Sequence, residues 1–124
     1  SRGLGDVYKR QDVEVQGCAD DADLLIVGFG GTYGHLYSAM EEMNKAGKKV
    51  ALAHFTYLNP LPKNTETVLK KYKKVVVAEQ NLGQFAGYLR MKIDNFTPYQ
   101  FNEVKGQPFV VAELVAAFNK LIDN

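Results

Sequence analysis

The sequence predicts an α/β domain: a mostly parallel sheet of four to five strands held between two layers of helices. Three observations carry this. Four short apolar runs are rich in Val, Leu and Ile, the mark of strands buried on both faces. The stretches between them repeat apolar residues at helical spacing. The two patterns alternate as β-α-β-α-β-α-β-α, the order of a parallel sheet whose crossovers are helices and are right-handed.

Leu24-Leu25-Ile26-Val27, ending at Gly28, is the first run. Leu36, Ala39, Met40 and Met43 then line one helix face, with Thr32 as the expected cap and Gly47 as the expected stop. Val50 to Phe55 forms the second run. The prolines at 60 and 62 hold off any helix until Asn64, the expected cap of a short helix marked by Val68, Leu69 and Tyr72. Lys70, Lys71, Lys73 and Lys74 load the end of that helix, where cations complement the dipole. The third run is Val75-Val76-Val77-Ala78, followed by a helix with Leu82, Phe85, Ala86, Leu89 and Ile93 on one face. A weaker fourth run spans Tyr99 to Val104. Val111, Leu114, Val115, Phe118, Leu121 and Ile122 draw the cleanest helical stripe in the chain. Val13 to Val15 offers one further edge strand.

Residues 12–124 therefore read as one domain, of ordinary size for its length. Residues 1–11, "SRGLGDVYKRQ", carry no period of 2 or 3.6. They are read as a translated adapter scar or a disordered terminus, outside the fold. The 46% hydrophobic and 23% charged fractions are those of a globular domain. A net charge of +1 gives no field for a phosphate backbone, which argues against nucleic acid. No apolar run reaches the roughly 18 residues of a membrane span, and the expected location is the cytoplasm. A single cysteine, Cys18, can build neither an internal disulfide nor a zinc or iron–sulfur site.

Candidate sites gather in the loops that follow the four strands. "GFGGTYG", Gly28 to Gly34, has a glycine-rich turn before a helix, so Gly30, Gly31 and Thr32 are weak candidates for holding an anion. The sixth place of a dinucleotide fingerprint is Tyr33 rather than glycine, and no acidic residue ends the second strand, so close packing of a tight turn is the favoured reading. In "EQNLGQ", Asn81 and Gln84 have capping-box spacing. Glu79 ends a buried strand without a partner base or nucleophile, and no catalytic or metal-binding residue is assigned. His35 and His54 show no ligand spacing. The loops "TYLNPLP", "EQNLGQ" and "VKGQPF" must leave a parallel sheet at one edge, together with "GFGGTYG". That edge is rich in Asn, Gln, Gly, Pro and aromatics, a composition suited to docking rather than acid–base chemistry. The expected interface residues are Tyr57, Asn59, Pro60, Leu61, Asn81, Leu82, Gly83, Gln84, Gly106 and Gln107.

"ADLLIVGFGGTYG", "YLNPLP", "KKYKKVVVAEQNLGQ" and "VKGQPF" stand here in one order and spacing. In that arrangement the chain resembles the C-terminal, transketolase C-terminal-like domain of the α subunit of 2-oxoacid:ferredoxin oxidoreductases, and the 2-oxoglutarate branch most. It departs at Phe29 and Gly31, where the family more often has Trp and Ser. The resemblance implies a three-layer α/β/α domain with a five-stranded mixed sheet, one edge strand antiparallel, and a switch-point crevice flanked by "GFGGTYG" and "EQNLGQ". It implies an enzyme that decarboxylates a 2-oxoacid on thiamine diphosphate with Mg²⁺, passes electrons through an iron–sulfur cluster to ferredoxin, and forms an acyl-CoA. Those cofactors would sit on other α-subunit domains or the β subunit, leaving this chain an assembly domain that is inactive alone. The rival readings are a freestanding phosphate- or nucleotide-binding module and the matching domain of another thiamine-dependent enzyme.

Overall fold

The computed structural model of the chain describes residues 12–56, 61–80, 83–103 and 108–123. Five strands form one sheet: β1 (Val15–Gly17), β2 (Leu24–Phe29), β3 (Val50–Phe55), β4 (Val75–Glu79) and β5 (Tyr99–Asn102). Four α-helices follow β2 to β5 in turn: α1 (Tyr33–Lys45), α2 (Thr65–Lys71), α3 (Gln84–Lys92) and α4 (Val111–Asp123). A 3₁₀ turn, Gly30–Thr32, leads into α1. The strand order is β1-β3-β2-β4-β5, with β1 antiparallel and the rest parallel. This is the expected mixed α/β sheet. Because β3 and β4 lie on opposite sides of β2, the chain reverses direction across the sheet between them, and a switch point falls at the carboxyl ends of β2 and β4.

Strand alternation sorts the core into two layers. Leu25, Val27, Ala51, Ala53, Phe55 and Val77 face Leu69 of α2 and Phe85, Ala86 and Leu89 of α3. Leu24, Ile26, Leu52, Val76 and Ala78 face Leu36, Met40 and Met43 of α1 and Leu114 and Phe118 of α4. Apolar residues on both faces explain why these strands read as unbroken apolar runs.

The ends of the elements depart from expectation where side chains act at a distance. α1 stops as predicted: Gly47 takes φ +94°, and the N–H groups of Gly47 and Lys48 donate to the carbonyls of Asn44 and Met43. Thr32 stands at the start of α1 without capping it, because its hydroxyl donates to the Phe29 carbonyl at 3.3 Å. Asn64 stands at the start of α2 but its amide goes elsewhere, accepting from the Val13 N–H at 2.8 Å and donating to the Val13 carbonyl at 3.0 Å. With Val13 held this way, pairing of β1 begins at Val15 opposite Ala53, two residues later than the sequence suggested. Asn44 repeats the device on Val50, accepting its N–H at 2.8 Å and donating to its carbonyl at 3.1 Å. The lysine-rich end of α2 is also more than a solvated cluster. Lys71 and Tyr72 both donate to the Ala19 carbonyl, and Lys74 donates to the Leu121 and Ile122 carbonyls at the end of α4. Among the described residues no helix is long and apolar enough to cross a membrane.

Candidate functional site

The carboxyl edge of the sheet carries the candidate site, and its centre is the switch point. Glu79, the last residue of β4, is 4% exposed. Its Oε1 accepts the Phe85 N–H and its Oε2 accepts the Ala86 N–H, both at 2.8 Å. These are free N–H groups of the first turn of α3, where the helix dipole favours a negative charge. The carboxylate thus occupies the place an external anion would take on that helix. The N-cap position falls on Gly83, at φ +96°, rather than on Asn81, so the capping-box spacing does not mark the helix start.

Holding the start of α3 also fixes Phe85. Its ring lies 5.5 Å from Phe29 at the end of β2 and 5.7 Å from Phe55 at the end of β3, the latter edge-on. A carboxylate and a phenyl ring from one strand end and one helix turn therefore occupy the α3 side of the switch point.

On the other side of β2, the glycine-rich turn serves two purposes. A Cβ on Gly28 would overlap Leu36 Cδ1 and lie 3.2 Å from Thr32 Oγ1, so close packing requires glycine there. Gly30 needs its φ of +75°. At Gly31 and Gly34, however, a Cβ would meet nothing within 4 Å among the described residues, so packing there does not account for them. Next to the turn, Tyr33 stacks on Tyr37 at 5.7 Å, meets His54 edge-on at 5.2 Å and donates its hydroxyl to Gln16 Oε1 of β1 at 2.8 Å. Burial holds the His54 imidazole below its ordinary value, and its hydrogen bond to the Gly30 backbone opposes this only in part. Its Nδ1 is buried without a partner among the described residues.

Among the described residues, two aromatic side chains at this edge stay open to solvent, Phe29 at 39% and Tyr33 at 38%. Sequence reasoning did not single them out; their place in the first and fifth positions of "FGGTY", past the end of an apolar strand, is the signal that was there to use. Of the expected interface residues, Gly83 and Gln84 lie at the start of α3, on this edge. Leu61 is partly buried and packs on the core layer of α2 and α3, so part of its side chain serves its own domain. Tyr57, Asn59, Pro60, Asn81, Leu82, Gly106 and Gln107 lie outside the described residues. A cavity of about 530 Å³ lined by Asp20, Lys71, Tyr72 and Ile122 lies at the opposite, amino edge. Among the described residues no three His, Cys, Asp or Glu side chains converge, and the chain's one cysteine cannot supply four thiolates. The chain's thiolates therefore do not fit an iron–sulfur site.

Residues 22–112 match the family described as pyruvate:ferredoxin oxidoreductase core domain II. The chain is 43% identical over 105 residues to the 2-oxoglutarate oxidoreductase subunit KorA of Mycobacterium tuberculosis (strain ATCC 25618 / H37Rv), a match that takes in 83% of this chain and 16% of that subunit. Among solved structures it superposes with a TM-score of 0.86 and 28% identity on the 2-oxoglutarate:ferredoxin oxidoreductase from Magnetococcus marinus with 2-oxoglutarate, coenzyme A and succinyl-CoA bound, covering 98% of this chain and 21% of that one. A split-gene transketolase, as an inactive β4 tetramer, shares the fold at a TM-score of 0.63 and 15% identity over 89% of this chain and 41% of that one. The chain spans about a sixth of the length of the curated relatives it matches.

Proposed function

The chain belongs to the pyruvate:ferredoxin oxidoreductase core domain II family, and from that premise we propose that it is the C-terminal assembly domain of the α subunit of a 2-oxoacid:ferredoxin oxidoreductase acting on 2-oxoglutarate. The observation that carries this reading is the superposition of nearly the whole chain on about a fifth of a chain of an enzyme with 2-oxoglutarate and succinyl-CoA bound. The full enzyme would decarboxylate the 2-oxoacid on thiamine diphosphate with Mg²⁺, pass electrons through an iron–sulfur cluster to ferredoxin and load the acyl group on CoA, in the cytoplasm. The remaining α-subunit domains and the β subunit would hold these cofactors; four thiolates for an iron–sulfur cluster are beyond a chain with one cysteine.

This domain's part is to dock. Its carboxyl edge presents aromatic and amide groups, and the buried carboxylate there is engaged by α3. The loops after β3, β4 and β5, with Tyr57, Asn59, Pro60, Leu61, Asn81, Leu82, Gly83, Gln84, Gly106 and Gln107, would contribute to the same contact. The test is turnover. A full-length α subunit containing this chain, assembled with its β subunit, is expected to reduce ferredoxin or a dye with 2-oxoglutarate and CoA, while the 124-residue chain alone does neither. Turnover by the isolated chain would overturn the assembly role. An assembled enzyme that ignores 2-oxoglutarate and accepts another 2-oxoacid would overturn the substrate.

A further inference from the structure

The imidazole of His54 lies on the α1 face of β3, because Leu52 packs on that side while Ala53 and Phe55 face the other. Its Nδ1 is buried without a partner among the described residues. That atom looks toward Gly28 of β2, where an added Cβ would lie 3.3 Å from it. An orphaned N–H is rarer in folded proteins than an unused lone pair, so the neutral ring carries its proton on Nε2. The ring is also built into the glycine-rich turn. It hydrogen-bonds the Gly30 backbone and meets Tyr33 edge-on at 5.2 Å, and Tyr33 in turn donates to Gln16 of β1 at 2.8 Å. Neutral His54 therefore helps to join β1, the turn and the start of α1.

A second proton has no place in that arrangement. It would go to Nδ1 and make a buried, charged N–H with no acceptor. The Thr32 hydroxyl, on the same side of Gly28, is already committed to the Phe29 carbonyl at 3.3 Å. Around the ring, Gly28, Gly30, Thr32 and Gln16 carry no charge, and α1 contributes the phenols of Tyr33 and, stacked behind it, Tyr37. The sheet register offers one carboxylate. Val15 is opposite Ala53 in an antiparallel pair, so Glu14 falls opposite His54, one step beyond the last pair of β1. Val13 and Val15 pack on the layer of α2 and α3, which turns Glu14 to the face that His54 shares. Glu14 is exposed, and among the described residues no ion pair joins it to His54.

We propose that His54 is a proton-operated latch on the glycine-rich turn: neutral, it lies in against Gly28 and Tyr33; protonated, it swings out to Glu14 and releases Tyr33 and the turn. The two positions are supplied by the fold itself, one a pocket without an acceptor and the other a carboxylate on the same face of the sheet. Burial holds the imidazole below its ordinary value. The latch is therefore closed at neutral pH and opens as pH falls through a midpoint below about 6.5. It belongs to this chain alone and stands whether or not the assembly role does.

The experiment is an NMR titration of the ¹⁵N-labelled 124-residue chain from about pH 8 to about pH 5, reading the imidazole nitrogens and the backbone amides together. The expected result is a neutral His54 protonated on Nε2, with a midpoint below about 6.5. The amides of Gly30, Gly31 and Tyr33 and the side-chain amide of Gln16 should shift with that same midpoint, while those of Val76 and Val77 in β4 stay still. His54→Gln should remove this component and leave only what His35, exposed on α1, contributes. Glu14→Gln, at an exposed position, is the variant that keeps the fold; it should lower the His54 midpoint by about 0.2–0.7 pH unit. A neutral ring protonated on Nδ1, turn amides that ignore the His54 midpoint, or a midpoint unmoved by Glu14→Gln would each overturn the proposal. So would β4 amides that change together with the turn, since the event would then be unfolding of the domain and not release of a latch.

Discussion

Replacing Glu79 with glutamine keeps size and shape and removes one charge and one acceptor. In the native fold both carboxylate oxygens accept backbone N–H groups of α3, and the residue is 4% exposed. The amide introduced by Glu79→Gln could accept only one of those N–H groups, while its NH₂ would face the other. Orphaning a buried N–H costs about 1–3 kcal/mol. Turning the surviving bond from charge-assisted to neutral removes about 1 kcal/mol more. Losing the negative charge at the helix N-terminus removes about 0.3–1 kcal/mol. The sum is roughly 2–5 kcal/mol, which in a domain of this size lowers Tm by about 8–20 °C. A stability of roughly 5–15 kcal/mol leaves the variant folded at low temperature. Urea titration and thermal melts of the 124-residue chain measure the loss, and amide hydrogen exchange localises it: Phe85 and Ala86 should exchange much faster, while the β2 amides change only by the global amount. A loss below about 1 kcal/mol with Phe85 and Ala86 still protected would refute the reasoning, since it would mean that water or another acceptor satisfies the first turn of α3.

Asn64→Ala removes both bonds to Val13 and is expected to destabilise the chain by about 1–3 kcal/mol; unchanged exchange at the Val13 amide would count against the clamp. His54 is held neutral by burial, so the unfolded chain takes up its proton first as pH falls. Stability is therefore full above about pH 6.5 and declines below it toward the folded-state value. His54→Gln should flatten the curve between about pH 7 and 5, and equal slopes in the two proteins would exclude His54 as the source. Gly28→Ala should cost about 1–3 kcal/mol through overlap with Leu36, whereas Gly31→Ala should leave the isolated chain within about 0.5 kcal/mol. Equal effects of the two in a melt would show that the turn is not divided as described. Residues 1–11 are proposed to lie outside the fold, so a chain starting at Asp12 should melt within about 1 kcal/mol of the full one.

The sheet and its helices were legible because their signals are local and redundant. Each of β2, β3 and β4 is apolar on both faces, and the apolar stripes of α1, α3 and α4 repeat over two turns or more. The misread positions are those where one side chain chose between a near and a far partner. Asn64 is a good helix cap by type, yet its amide bonds Val13, 51 residues away in the chain. No local pattern reveals that choice. Lys74 likewise looked like a solvated charge, and only the packing of α4 across the sheet brings the Leu121 and Ile122 carbonyls to it. Glu79 was closer to reach. A carboxylate ending a buried strand, six residues before the Phe85 N–H, has few ways to stay buried other than on that helix's first turn. Phe29 was not read as a surface residue because it is one more apolar side chain at the end of β2, directly after the glycine that closes the run. Hydrophobicity shows that a side chain will be covered, and does not show by which molecule.

That last point bears on how the switch point of this α/β domain is used. In open parallel sheets the crevice at the switch point is the usual place for a ligand, because diverging loops leave a gap and helix N-termini supply donors. Here the described residues answer both conditions on the α3 side. The first-turn donors of Phe85 and Ala86 are taken by Glu79, and the gap is filled by Phe85 against Phe29 and Phe55. The same two residues shape the edge: by seating α3, Glu79 sets the ring of Phe85, and Phe85 packs against Phe29. What remains exposed is a firm aromatic ridge whose position is fixed by a buried charge. A preformed surface of that kind meets another protein with little reordering, which supports the assembly role proposed for this domain.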